Sequence, residues 1–314
     1  MRKLLLLTLI PLYLWADAHL FVFHRFGDTR HPSTSTSIET LRSEFEYLKK
    51  NNYKVISLKR LQEAFQRGEA IDDRWVVLTI DDSFKSFYEN GLPLFREYNY
   101  PFTLFIYVQA TVDNYGDFMT WDQIKESAKY GEIGFHSFGH PHLVSLSDSE
   151  IADDTKKGLD IMQEKLGYTP KYYAYPYGEY DERVRRNLER FDFDLIINQN
   201  AGAVDQQSDP HDLDRTALTG ENTIKAKLRT RTLPTEWIFP KAWPKDGKIS
   251  TLKANLPKEV KKLEYYISGY AWEPALLKEG RLALTVDRQL KMHRTRIFLR
   301  SGDRQSSIIL VKGK

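Results

Sequence analysis

From about residue 19 to about residue 220, short runs rich in β-branched and aromatic residues alternate with stretches whose apolar positions recur at helical spacing. The runs HLFVFHRF, YKVISL, RWVVLTID, PFTLFIYV, GEIGFH, KYYAYPY, FDLIINQ and LDRTAL predict strands, because such residues suit a pleated, buried surface and polar or turn-forming residues bound them. The intervening stretches carry helix punctuation. Thr36 followed by Glu39 has capping-box spacing ahead of IETLRSEFEYLKK, and Ser147 with Glu150 opens EIADDTKKGLDIMQEKL, which Gly167 and Pro170 close. Strand and helix alternating over about seven or eight units predict an α/β architecture with parallel strands, most simply a barrel, in which polar residues at strand C-termini gather into a site.

Near residue 222 the pattern changes. TLPTEWIFPKAWPKDG is rich in proline and tryptophan and reads as an ordered linker, or a wrap across the barrel, over residues 223–244. Beyond it KISTLKANL, KLEYYISGY, GRLALTVD, TRIFLRS and SSIILVKG alternate between turn signals, which predicts a small β-rich, sandwich-like accessory domain over residues 245–314 with no helix. The N-terminus has Arg2 and Lys3, an apolar run from Leu4 to Trp15 too short to span a bilayer, and Ala16-Asp17-Ala18, the layout of a secretory signal peptide over residues 1–18. No other segment is long and apolar enough to cross a membrane. The expectation is a barrel domain over residues 19–222 in an exported, periplasmic protein with no stable membrane span after signal cleavage.

Composition narrows the chemistry. With 46 basic and 43 acidic residues the net charge is only +3, which gives no reason to expect a nucleic-acid partner. The absence of cysteine excludes disulfides, thiolate catalysis and cysteine-ligated metal. Carboxylate and histidine chemistry at strand ends remains. VVLTIDDSFKSF ends its apolar run with Asp81 and Asp82 side by side. Where a strand stops, the alternation of faces lapses and both groups can lean over the barrel mouth, repelling each other unless a cation or a shared proton intervenes. For a bare Asp-Asp, helix capping or a solvated turn is the favoured explanation, which a cation partner would reverse.

The next strand end argues for the cation. In GEIGFHSFGHPHL, His136 and His140 are four apart, while Gly139 and Pro141 make the segment a turn and not a helix interior. Two histidines with one carboxylate from another strand end form the donor set of catalytic zinc sites, with room left for water. A third strand end, YYAYPYGEYD, holds Tyr175-Pro176-Tyr177-Gly178, on its own a proline-glycine turn.

Taken in order, T-I-D-D, H-S-x-x-H and Y-P-Y-G resemble the motifs of the polysaccharide deacetylase family, also called the NodB-homology or carbohydrate esterase family 4 domain. The likeness covers roughly residues 20–218. The resemblance implies a distorted (β/α) barrel of about seven strands that removes acetyl groups from N-acetylated sugars with a divalent metal. Zinc is the leading candidate, and cobalt, nickel or iron(II) also suit a His₂-carboxylate set. Position by position it implies Asp81 as catalytic base, Asp82, His136 and His140 as metal ligands, and Tyr177 as a backbone oxyanion donor in a loop shaped by Pro176. Ser137, within the second motif, is expected to orient its loop by hydrogen bonding. The chain also departs from the family pattern: Ala174 stands where the third motif often has arginine, Ser83 where glycine commonly follows the aspartates, and His211 does not match a late acid motif. Deacetylases of poly-N-acetylglucosamine share an altered third motif and an early histidine, which makes that branch the nearest in pattern and His24 the candidate general acid. Arg215 in LDRTAL is expected to line the site, either paired with a catalytic carboxylate or in a structural ion pair. His142 is expected exposed, and Trp121 reads as core.

The expected function is metal-dependent removal of N-acetyl groups from a glycan of the cell envelope or an exported polysaccharide. Two alternatives stand beside it: a catalytically weak carbohydrate-binding or scaffold protein of the same fold, and a hydrolase of a non-sugar amide.

Overall fold

The computed structural model describes residues 17–220 and 224–313. The expected signal peptide therefore lies almost wholly outside the described residues, as does the boundary expected at residue 222. Strands β1 (His19–Phe23), β2 (Lys54–Val55), β3 (Trp75–Ile80), β4 (Thr103–Ile106), β5 (Glu132–Phe135), β6 (Tyr172–Ala174), β7 (Leu195–Ile197) and β8 (Thr216–Ala217) form one parallel sheet. Its order is β8-β1-β3-β4-β5-β6-β7, with β2 also paired to β3. Leu213, just before β8, makes an isolated parallel bridge to Ile197 of β7. LDRTAL thus spans the seam between the last strand and the first, and the sheet curls into the distorted barrel that the strand count predicts.

Period-two alternation sorts the strand side chains into two apolar clusters. Phe21, Leu78 and Leu104 pack on the side of helix α1 (Ile38–Lys50), whereas Leu20, Val77 and Phe105 pack with Leu58 and Leu61 of α2 (Leu58–Arg67). Helix α3 (Asp148–Leu166) starts with the predicted Ser147–Glu150 capping box and ends at Gly167 in the left-handed conformation, φ 85°. Helix α1 starts one residue later than its spacing suggests. Thr36 is held in a parallel pairing with Phe26, so Ser37 becomes the cap, its Oγ accepting from the Thr40 N–H at 3.0 Å.

One buried acid in α1 makes stability depend on pH. Glu44 is sealed in the core with, among the described residues, a single backbone donor, the Ile224 N–H at 3.1 Å, and burial pushes its carboxyl up to about 7 against that hydrogen bond. A carboxyl raised in the folded state contributes stability fully present below its unfolded value and lost as pH rises through about 7. Glu44→Gln should therefore stabilise the protein at pH 8 by roughly 2–3 kcal/mol and leave it unchanged near pH 4. Denaturant melts at the two pH values check this, and equal effects at both would refute it.

The C-terminal region is a sandwich of two sheets, antiparallel except for a short parallel edge pairing of Arg231 and Thr232 with Arg304 and Gln305, with its own core of Ile249, Leu252, Ile267, Ile297 and Leu299, among others. Its strands are β9 (Arg231–Thr232), β10 (Glu236–Phe239), β11 (Lys248–Asn255), β12 (Leu263–Ile267), β13 (Glu273–Ala275), β14 (Leu277–Lys278), β15 (Arg281–Gln289), β16 (Arg294–Ser301) and β17 (Arg304–Val311). The sheets are ordered β9-β17-β16-β12-β13 and β10-β11-β15-β14. Here the structure differs from the sequence reading: the proline-rich stretch expected as a linker supplies an edge strand to each sheet, and Ile224–Lys227 is a short helix. Prolines are tolerated at edges because no neighbour requires their missing N–H, so their density conceals strands there. The sandwich docks on the loop after β7, with Gln305 Nε2 and Ser307 Oγ donating to the Ala201 carbonyl at 2.9 and 3.1 Å.

Candidate active site

Asp81 follows β3 directly, its N–H donating to the Phe23 carbonyl at 3.0 Å, so the parallel ladder with β1 extends to the carboxylate itself. The side chain is fully buried and meets an equally buried guanidinium. Arg215 Nη1 donates to Asp81 Oδ1 at 2.8 Å and to Thr79 Oγ1 at 2.8 Å, while Nη2 donates to Asp81 Oδ2 at 2.7 Å. Of the two roles weighed for Arg215, the geometry is the first: it grips the carboxylate expected as base. The order β8-β1-β3 explains the reach, since Arg215 sits just before β8, one strand beyond Asp81's neighbour. Ala174 therefore leaves no vacancy in charge. A guanidinium that the third motif does not supply arrives from the seam. Burial pushes the Asp81 carboxyl up, but Arg215, then His136 and His24, outweigh it and hold the group below the usual aspartate range.

Asp82, His136 and His140 converge beside this pair. Their ligand atoms all lie within 4.8 Å of one another, with Asp82 Oδ1 3.4 Å from His136 Nε2 and 3.1 Å from His140 Nε2. His136 Nδ1 is 2.7 Å from the Ala174 carbonyl, so that nitrogen carries the proton and Nε2 turns its lone pair inward. Ser137 Oγ accepts from the His140 N–H at 2.8 Å, and Asp154 of α3 accepts from the Phe138 and Gly139 N–H groups at 2.9 and 2.8 Å. The sequence reading missed Asp154, whose helical context gives no sign that it clamps a loop. Asp82 Oδ1 is sealed from solvent with no hydrogen-bond partner among the described residues. A buried carboxylate oxygen facing two imidazole nitrogens fits a divalent cation. Asp28, His31 and Asp117 form a second grouping within ligand reach, but Arg25 and Arg30 already bridge its carboxylates, which makes it an ion-pair network.

Tyr177 stands on the third side. Pro176 is buried and starts a single turn of helix in which Tyr177 takes φ 59°. Among the described residues the Tyr177 N–H has no backbone acceptor. The Tyr177 ring lies between two imidazoles, edge-on to His140 and stacked on His142, each at 4.4 Å. His142 is half-exposed, as expected, but not idle: its Nδ1 is 2.7 Å from Oε2 of buried Glu179. His24 lines the same mouth, its Nδ1 buried without a partner among the described residues. Burial pushes its imidazole below the ordinary value, with Asp82 and Asp81 pulling the other way. His211 is spent on the Phe193 carbonyl at 3.0 Å, and Trp121 packs against the main core.

Five non-glycine residues of the mouth have left-handed backbone: Asp82 (φ 70°), Ser83 (56°), Ser137 (67°), His140 (49°) and Tyr177 (59°). Such conformations cost of order 1–3 kcal/mol each and persist where the surroundings over-determine them. Ser83 shows why a glycine after the aspartates suits this turn.

Comparison with known proteins agrees with the motifs. Residues 68–196 match the family model described as polysaccharide deacetylase. A poly-beta-1,6-N-acetyl-D-glucosamine N-deacetylase of Escherichia coli strain K12 is 23% identical over 219 residues, covering 56% of this chain and 32% of that protein. The chain thus spans about a third of that relative's length. Among solved structures, the Streptococcus pyogenes deacetylase PplD in complex with acetate superposes with TM-score 0.63 at 19% identity, over 68% of this chain and 98% of that one. IcaB from Ammonifex degensii gives 0.57 at 21% identity, over 65% and 92%. These structural likenesses establish the shared barrel. Three motifs stand on one barrel mouth, and across β3 to β7, over residues 68–196, the chain matches the polysaccharide deacetylase family, the NodB-homology or carbohydrate esterase family 4 fold.

Proposed function

We propose that the protein is a metal-dependent N-deacetylase of an N-acetylated glycan, exported to the cell envelope or periplasm. The observation that carries this reading is the division of labour between adjacent aspartates: Asp82 faces two histidine nitrogens, while Asp81 stands outside that set, gripped by Arg215. Asp82, His136 and His140 would hold the cation, zinc before cobalt, nickel or iron(II). When bound, it would supply Lewis-acid polarisation of the acetyl carbonyl and acidification of water.

The chain's own residues do the rest. Asp81 is ionised, and each of its oxygens keeps a lone pair beyond its Arg215 hydrogen bond, so it can take the proton from the attacking water. Tyr177 presents its free N–H to the charge that develops on the acetyl oxygen, a contribution of roughly 3–4 kcal/mol for one well-aimed donor. His24 is the candidate donor to the departing amine. Because burial favours its neutral form, it would relay to the amine the proton that Asp81 takes from the attacking water, with Asp81 and Asp82 nearby to favour the transient charge. The Arg215 clamp speaks for an active enzyme over a scaffold that has lost its base, and the glycan deacetylase activity for which the E. coli relative is named supports a glycan over another amide.

Zinc-loaded protein incubated with N-acetylglucosamine oligomers should release acetate, and chelator should stop the release reversibly. Metal-bound protein that frees no acetate would overturn the reading, and acetate from small non-sugar amides alone would favour the other hydrolase. The ligand assignment has its own test. Substitutions around a ligand already weaken metal binding 10–100-fold, so Asp82→Ala or His136→Ala should lower zinc affinity by more than about 10²-fold in a folded protein. Calorimetric titration with zinc decides, and stoichiometric tight binding by either variant would reject the assignment.

A further inference from the structure

The sandwich reaches into the loop that carries Tyr177. Arg294, the first residue of β16, donates from Nη2 to the Tyr177 carbonyl, and the same nitrogen lies 3.5 Å from Gln199 Oε1. Its Nε is 3.9 Å from Glu179 Oε1. The other oxygen of Glu179 meets His142, whose ring stacks on Tyr177. Two residues along β16, on the same face, Arg296 donates to the Gln199 carbonyl at 2.7 Å. Gln199 is the wall against which the loop is fitted: a Cβ added to Gly178 would stand 2.4 Å from the Gln199 Cβ. One strand of the C-terminal sheet therefore grips both the wall and the loop.

We infer that Arg294 and Arg296 are positioning residues for deacetylation, the sandwich completing the barrel's active site by fixing the direction of the Tyr177 N–H. The inference rests on the deacetylase reading, in which that N–H meets the oxyanion. Tyr177 has a strained left-handed φ, and a residue so placed relaxes unless its flanking peptide planes are held. Pro176 stiffens the plane before it, and the Arg294 guanidinium holds the carbonyl of the plane after it. The domain that looks like an accessory is thus part of the machinery.

The test uses the full, zinc-loaded chain. Arg294→Ala should lower kcat on N-acetylglucosamine oligomers by about 10²-fold, the penalty of a reacting group misplaced by about 1 Å, with KM and zinc affinity little changed. Arg294→Lys keeps the charge but lacks the planar fork and should recover only part of the rate, and guanidinium added to the alanine variant should recover part as well. Arg300→Ala, further along β16 and paired with exposed Glu264, should retain the wild-type rate. A wild-type kcat in Arg294→Ala overturns the inference. Should the wild type itself release no acetate, the functional reading fails, and amide exchange at Tyr177, Gly178 and Glu179 still decides the clamp. Faster exchange in Arg294→Ala at unchanged Tm supports it, and unchanged exchange refutes it. If the alanine variant does not fold, the same two measurements on Arg294→Lys decide.

Discussion

Asp81→Asn should bind zinc as the wild type does while its turnover falls roughly 10²- to 10⁴-fold, the range for loss of a positioned general base. Asparagine keeps the shape and one of the two acceptors that Arg215 uses, and unchanged zinc binding shows that the site survives the loss of the ion pair, so the fall in turnover reports the proton acceptor. The pH profile carries a second signature. A base works only when ionised, and Arg215 holds the Asp81 carboxyl below the usual aspartate range against the effect of burial. The wild-type kcat/KM should therefore persist as pH falls past ordinary aspartate titration, and the acid limb that remains should vanish in Asp81→Asn. An asparagine variant with undiminished turnover would mean that another group takes the proton.

Arg215→Met should cost about 3–5 kcal/mol of folding stability, the penalty for stranding a buried charge without its partner. Both side chains of the pair are 0% exposed, so water cannot take over the role of the guanidinium. The sign with pH follows from the depressed carboxyl: the pair's stabilisation is present above the unfolded aspartate value and lost as pH falls through the folded one. The deficit of Arg215→Met should accordingly shrink in acid, where Asp81 is protonated. The double variant Asp81→Asn/Arg215→Met should regain much of the stability and none of the activity. Denaturant melts from pH 3 to pH 8 measure all three, and an Arg215→Met protein within about 1 kcal/mol of wild type at pH 7 would show the ion pair to be marginal.

What the sequence made legible was what is local. Asp81, Asp82, His136, His140 and Tyr177 each end a short apolar run, and a strand followed by a polar turn is readable from a dozen residues. The barrel followed from counting such runs. The Arg215 clamp was only half legible because it depends on strand order: only with β8 beside β1 and β1 beside β3 does residue 215 meet residue 81. Asp154 sits among other acids of an amphipathic helix, and nothing in its neighbours marks the loop it holds. Arg294 was least legible, since its partner lies 117 positions away in the other domain. The cap of α1 was misplaced by one residue for a similar reason, a pairing with Phe26 that the capping pattern does not contain.

The left-handed residues around the mouth bear on how this protein would respond to laboratory evolution. Heat selection rewards any substitution that relaxes a strained backbone, and at Ser83, Ser137 and Tyr177 that means glycine or asparagine. Of these, Ser83→Gly leaves every assigned donor in place. At Ser137 the same relaxation discards the hydroxyl that holds His140, and at Tyr177 the ring that separates His140 from His142. Selection for robustness alone would thus drift toward a sturdier barrel with a slacker mouth, and libraries screened for thermostability should be counter-screened for acetate release at these positions.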